Sequence, residues 1–330
     1  MNPAAWPTEL LPVFERSLTA EFASLTRAGQ PVTVPTTPYV GTTGETLDVS
    51  TGLTYPAKAE RARRDPRVAL LFADPIGSGL DRPPVVLVQG LATVRDTDLQ
   101  ANTDRYVACS TAKIPEATKG QPKAVLRRFG WYYARIWIEI TPLHMRWWPT
   151  RDLDSAPEEW NAPEGTAAPL SDPPPPGARP GAWIAPPSDW RSVARGALDR
   201  LPLADLTVVG ASGFPVCLPV SVARLVDDGL ALGLGPGAPA LEEGPACLTL
   251  HGHPERFTGQ ENRALVGTAV PGDGTVLLRV ERALADWSLA GNRLQMALGF
   301  LSKGRILRRR LAAEAARRSQ PVPVVRPPAP

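Results

Sequence analysis

The sequence predicts a mainly β protein with flanking helices, built as two small β-barrels in tandem. Three observations carry that reading: the proline and glycine content, a proline-rich stretch that divides the chain, and a set of strand-like segments that recurs in the same order on both sides of the divide. With 330 residues, 43% of them hydrophobic, the chain can fill a core in each of two domains. Its 38 prolines and 28 glycines are about a fifth of the chain, which interrupts helices and favours short strands joined by turns. From Pro149 to Pro187 there are eleven prolines in 39 residues, including Pro173 to Pro176, set among Gly, Ala, Asp and Glu. Such a segment reads as an extended linker with no core of its own. The expected organisation is a first barrel over 1–149, a linker over 150–190, a second barrel over 191–290, a basic helix over 291–320 and a disordered tail over 321–330.

The repeat can be followed strand by strand. Gly29-Gln30-Pro31-Val32 with Val34-Pro35 is echoed by Gly213-Phe214-Pro215-Val216 with Leu218-Pro219, at an offset of 184, each a hairpin turn entering a strand. ETLDVSTG, ending at Gly52, is echoed by DGLALGLG, ending at Gly235, at an offset of 183. DPRVALLF from Asp65 aligns with GPACLTLH from Gly244, and VLVQGLATV from Val86 with RALVGTAV from Arg263, so that Gly90 matches Gly267. Ile140 with Trp147 aligns with Val280 and Trp287.

The departures from the match are informative too. After the third strand the first half has YPAKAERARR, where the second half is four residues shorter and carries Glu242 and Glu243. An insertion from about Asn102 to Arg128 in the first half has helical patterning. Asn292 to Arg318 also reads as a helix, with Leu294, Leu298, Leu301 and Leu307 against Arg305, Arg308 and Arg309. It is expected to cover the barrel it follows and to show solvent its basic side. Residues 291–330 hold nine Lys/Arg and one acid, Glu314, so the net charge of +3 is +8 in the tail and −5 elsewhere. The body of the chain has no basic face interleaved with aromatics, so nucleic acid is not expected as a partner. No run of 18 apolar residues and no opening leader pattern is present, from which a cytoplasmic protein without a membrane span is expected.

One stretch has the residues to hold a phosphate. A strand ending in Ser50-Thr51-Gly52, followed within a turn by Lys58 and Arg61, supplies backbone donors and cations together. Spacing alone also fits a plain solvated helix face of Lys58, Arg61, Arg63 and Arg64. The order of TRAGQPVTVP from Thr26, LDVSTG, AKAERARRDPRVALLF from Ala57 and VLVQGLATV resembles the split-barrel flavin-binding superfamily, which includes pyridoxamine 5′-phosphate oxidase and the deazaflavin-dependent reductases. The likeness covers residues 18 to 149 and, more faintly, 200 to 290. It implies that Lys58 contacts a cofactor phosphate with help from Ser50 and Thr51, that Val34, Pro35, Thr36 and Thr37 run along the ring, and that Gln89 adds a contact. It implies FMN, or alternatively the deazaflavin F420, and hydride transfer to or from a small organic substrate, with a non-catalytic flavin- or haem-binding protein as the other reading. Ala57-Lys58 stands where pyridoxamine phosphate oxidase has an Arg-Lys pair, and that enzyme's substrate-binding Arg and His signature is not evident, so pyridoxamine phosphate is not expected as substrate. Members of the superfamily are usually homodimers, and here the second barrel is expected to stand in for the partner subunit. That makes an internal pseudo-dimer, itself a monomer or homodimer, with one site retained.

Other chemistry is thinner. Cys109, Cys217 and Cys247 are far apart and read as buried thiols. His251 and His253 lie two apart in a strand and share a side, but no third ligand is visible, and no metal site is expected. Trp131, Trp137, Trp147 and Trp148 read as core and interface filling. Tyr39 and Tyr55 are conceivable proton donors. No Ser-His-Asp set, carboxylate pair or Walker loop is apparent, so the catalytic residues are left unassigned.

Overall fold

The computed structural model describes residues 6–115, 129–178, 181, 184–257, 259–285 and 293–326, with the backbone alone over 293–303. Among them, the first half contributes β1 (Ala20–Leu25), β2 (Pro31–Thr36), β3 (Tyr39–Val40), β4 (Leu47–Gly52), β5 (Arg67–Phe72), β6 (Val85–Arg95), β7 (Arg135–Trp148) and β8 (Glu158–Asn161). The second contributes β9 (Leu203–Val209), β10 (Pro215–Pro219), β11 (Ser221–Val226), β12 (Gly229–Gly233), β13 (Gly244–Gly252), β14 (Glu261–Pro271) and β15 (Thr275–Ala283). Each half is one antiparallel sheet. The order is β2-β1-β5-β6-β7-β4-β3 in the first, with β8 on β7, and β10-β9-β13-β14-β15-β12-β11 in the second.

Special backbone positions coincide between the halves. Gly29 and Gly213, the matched hairpin turns, both have φ of 77°, where a side chain would be strained. Gly90 and Gly267 both sit at a bulge against the neighbouring strand, and a Cβ on either would run into a carbonyl oxygen, of Thr141 and Arg279 respectively.

The ladders correct two of the sequence alignments. Leu70 pairs with Phe22, and Leu248 with Leu206, which sets β5 against β13 at an offset of 178. Matching the Asp-Pro and Gly-Pro dipeptides placed them one residue out, and the connection before β13 is five residues shorter than its counterpart. Gly90 faces Pro142 and Gly267 faces Val280, so Val280 corresponds to Pro142, two residues from Ile140. A two-residue slip leaves every side chain on its own face, so alternation could not reveal it. Trp287 lies outside the described residues.

Strands β1 and β5 are buried on both faces, and β5 accordingly runs without a polar residue from Val68 to Phe72. Phe22, Leu70 and Phe72 enter the first barrel's core, whereas Ala23, Ala69 and Leu71 pack into the core of the second half. The contact is reciprocal: β2 meets β13 and β14, and the matched β10 meets β5 and β6. Across it, Thr33 Oγ1 bonds Thr207 Oγ1 at 2.6 Å and Gln30 Nε2 donates to Ala246 O at 2.7 Å. This is the isologous arrangement of a two-fold dimer, within one chain.

Helices are α1 (Leu11–Arg16), α2 (Ala57–Arg64), α3 (Leu99–Lys113), α4 (Gly130–Tyr133), α5 (Trp190–Leu198) and α6 (Arg293–Arg317). The insertion expected to be helical begins as α3, and residues 116–128 lie outside the described set. The C-terminal helix does not cover the barrel it follows. Leu307, Leu311 and Ala315 of α6 enter the first barrel's core beside Leu53, Ala59, Ala62 and Trp131. Arg318 holds Asp96 at 2.8 Å, Arg317 pairs with Glu60, and Arg310 Nε donates to Thr54 O at 2.9 Å. Arg305, Arg308 and Arg309, the side read as solvated, are exposed, and it is Arg310, Arg317 and Arg318 that are spent on the first half's carboxylates and carbonyls. Leu294, Leu298 and Leu301 fall where side chains are not described.

Two segments expected to be loose are tied down. Beyond α6, Gln320 Oε1 accepts from Leu99 N, Val324 exchanges bonds with Gln100, and Val325 is buried with Tyr39, Tyr106 and Trp137, so 321–326 is a seated strap and not a disordered tail. The proline-rich segment is extended but attached. Proline has no N–H to give a ladder, so attachment uses other groups. Pro169 O accepts from Thr93, Ser171 Oγ from Val94 N, and the Asp172 carboxylate from Asp96 N and Thr97 N. No helix of the described residues is long and apolar enough to cross a membrane.

Candidate functional site

Good helix formers make α2, Pro56 precedes it, and it stops at Asp65 because Pro66 disfavours helical geometry in the residue before it. Ala59 and Ala62, three apart, bury one face in the core and fix the remaining side chains around the barrel's end. Three of its cations are engaged: Arg61 Nε donates to Ser24 Oγ at 3.0 Å, Arg63 pairs with Asp96 at 2.6 Å, and Arg64 donates to Leu25 O at 2.9 Å. Lys58 differs. Its ammonium lies 5.8 Å from the centre of the Phe22 ring, with no hydrogen bond or carboxylate among the described residues. Burial, then Arg135 and Arg61, lower its pKa to about 7.

Arg135 had no sequence signal. It opens β7, 77 positions beyond Lys58 in the chain, and the ladder sets it opposite Gly52. Its guanidinium lies 3.9 Å from the centre of the Tyr106 ring and 4.9 Å from that of Tyr132, and its buried Nε has no hydrogen-bond partner among the described residues. Gly52 makes room for the Tyr55 ring, which a Cβ there would meet at 2.6 Å. Burial pushes the Tyr55 phenol up to about 12 against the pull of Arg135. Tyr39, the other conceivable proton donor, stacks on Trp137 at 5.4 Å and shares a 3.0 Å bond with Ser110 Oγ, and burial raises its pKa steeply. Trp131, Trp137, Trp147 and Trp148 are all buried.

Alternation divides the other sequence-predicted residues. Val34 and Thr36 pair with Phe22 and Ala20, on the Lys58 side of the sheet, whereas Pro35 pairs with Glu21 on the face towards the second half. Thr37 lies just past β2, half-buried. Thr51 has the core-facing parity of Leu47 and Val49 and its hydroxyl donates to Tyr55 O at 3.3 Å, while Ser50 is on the other face, paired with Trp137. Gln89 does not join Lys58. Its amide donates to Pro215 O at 2.9 Å and meets His144 Nδ1 at 3.2 Å. There it lines a cavity of about 530 Å³ with His144, Arg146, the Gly210–Phe214 turn and the shortened connection bearing Glu242. None of Ser50, Thr51 or Lys58 lines that cavity.

A second cluster was half visible in sequence. His251 lies between two carboxylates, with Nε2 2.7 Å from Asp205 Oδ2 and 3.1 Å from Glu21 Oε1. His253 Nε2 stands 3.0 Å from Asp74. Burial pushes Glu21 up to about 8. Burial pulls His251 down, but Glu21 and Asp205 outweigh it and raise its pKa to about 9.

Identical strand order in the two sheets, matched bulges and reciprocal packing settle the architecture. Each half is a split barrel. The chain is similar in fold to an F420 reductase, at 21% identity over 42% of this chain and 98% of the other, with a TM-score of 0.32. It is likewise similar to a protein of the pyridoxinephosphate oxidase family from Clostridium acetobutylicum, at 12% identity over 46% and 92% of the two chains and a TM-score of 0.32. An FAD-binding protein from Mesorhizobium loti gives 16% identity over 42% and 91%, with a TM-score of 0.30. No protein-family model matches the chain, and no curated protein matches it.

Proposed function

We propose that the split-barrel pair is a flavin-dependent oxidoreductase with one cofactor site per chain, at Lys58, taking FMN in preference to the deazaflavin F420 and acting on a small organic substrate. The carrying observation is the half-buried Lys58 ammonium, without a described acid partner and close enough to Arg61 and Arg135 for both to lower its pKa. Three cations around one point, one carrying a buried N–H without a partner among the described residues, suit a phosphate, whose charge would offset their mutual repulsion. The residues fit such a group, with Lys58 and Arg135 holding it and Ser50 or Thr51, on opposite faces, giving at most one hydroxyl. Val34 and Thr36, on the Lys58 side, are placed to lie along the ring, and the second half excludes water from the other side. A flavin, when bound, would supply the hydride chemistry itself.

The test is the absorption spectrum of the purified protein with mass spectrometry of the released ligand, repeated on Lys58→Ala. Flavin bands in the native protein, lost in the variant and bleached by NAD(P)H or reduced deazaflavin with turnover, are expected. A folded protein that stays colourless and takes up neither FMN nor F420 overturns the proposal. A flavin that is held but reduced only slowly and incompletely overturns its catalytic part.

A further inference from the structure

At the contact between the halves, Glu21 of β1 and Asp205 of β9 occupy matched positions, at the offset of 184 that relates the hairpins, and both are fully buried. His251 is supplied once only: at the offset of 178 its counterpart is Ala73. The pseudo-symmetric pair of acids thus gains a single imidazole, and the three ligand atoms lie within 4.8 Å of one another. The Glu21 carboxylate is unsatisfied. Neither oxygen has a hydrogen bond among the described residues, although Oε1 is 3.1 Å from His251 Nε2, which is closer to Asp205. A buried carboxylate in that condition is expensive unless something paired with it completes its shell.

We propose that Glu21, Asp205 and His251 bind one divalent transition-metal ion at the junction of the two barrels. Two carboxylates and an imidazole suit Zn²⁺, Mn²⁺ or Fe²⁺, held at roughly 2.0–2.2 Å. Arg151 Nη2 donates to Asp205 Oδ1 at 2.8 Å and fixes the carboxylate from behind, as outer-shell donors do. Asp74, 3.0 Å from His253, adds a third carboxylate to the same buried region, where Arg151 is the permanent cation touching Asp205. Two more positive charges are needed, and one divalent ion supplies both with His251 neutral. The rival is protons on Glu21 and His251.

The ion joins residues of both halves, so its role is to lock the pseudo-dimer, and the proposal stands independently of the flavin reading. The experiment uses the full chain, produced with Zn²⁺ or Co²⁺ supplied during expression because the cluster has no exposed path. Elemental analysis should find one equivalent per chain, and the Co²⁺ protein should show ligand-field bands of a low-symmetry N/O site. His251→Ala and Glu21→Gln should each lower metal content about tenfold or more, whereas Arg146→Ala should leave it unchanged. Wild-type protein that is folded by circular dichroism yet carries no stoichiometric metal after expression with Zn²⁺, Co²⁺ or Mn²⁺ overturns the proposal. So does metal content unmoved by both substitutions. An NMR titration showing His251 protonated with excess Zn²⁺ present decides for the proton rival.

Discussion

The two halves reach the same strand order and then treat the connection before the fifth matched strand in opposite ways. In the first half it is α2, whose two alanines face the core and whose Lys58 is left without an acid partner among the described residues. In the second half five residues are missing, no helix forms, and Glu242 lines the cavity instead. One fold therefore presents a cationic corner and an acidic one, and a short deletion with a change of charge would be enough to remove the proposed phosphate site while leaving the barrel intact. The largest expected effect follows from that contrast. Cofactor bound per chain should saturate at one, and Lys58→Ala should lower affinity for FMN by about 10- to 100-fold, the loss of a charge-assisted contact of about 1.5–3 kcal/mol. A stoichiometry of two, read from flavin absorbance against protein concentration, would break the asymmetry.

Where the halves agree, substitutions should act alike. Gly90→Ala and Gly267→Ala each push a Cβ into a carbonyl oxygen of the facing strand at the same bulge. Each should cost about 2–4 kcal/mol in urea unfolding, the range of strained or overpacked core sites. A large cost at one glycine and none at the other would show that the bulges are not equivalent.

The parts of this fold that were legible in sequence are those written in local chemistry. Turn glycines, alternating strands, the α2 run and the bulge glycines were all readable from their neighbours. Arg135 was not, because only the β4–β7 ladder brings it to Lys58. Asp205 was not, because only the β9–β13 ladder brings it to His251, and Glu21 was not, because the two halves must meet before it reaches that histidine. Gln89 was readable as a polar strand residue, but that it faces the cavity beside His144 and not Lys58 depends on packing between the halves. The C-terminal helix was legible as a helix, and its destination was not: amphipathicity reports that one face is covered, never by what.

That destination is the next point to press. Leu311 of α6 lies in the first barrel's core, so Leu311→Ala should destabilise by about 2–4 kcal/mol, as buried Leu→Ala changes do. If α6 belonged to the second half, the loss would fall there. Hydrogen exchange distinguishes the two, since faster exchange is expected in α2 and α4 and not in β12 or β15.

The smallest effect tests the electrostatics of the cationic corner directly. With its pKa lowered to about 7, Lys58 is mostly neutral at pH 8 in the free protein, and a bound phosphate restores a reason to hold the proton. Binding of FMN at pH 8 should therefore take up a proton, approaching one per site, and the uptake should fade as pH drops below 7, where the ammonium is already charged. Without ligand the sign reverses. The unfolded chain holds that proton up to the ordinary lysine range and the folded one does not, so Lys58 makes stability rise with pH between about 7 and 10.5. Calorimetry in two buffers of different ionisation enthalpy reads the uptake. A value near zero at pH 8 would mean that the phosphate does not meet Lys58, and the contrast between the two corners would then need another cause.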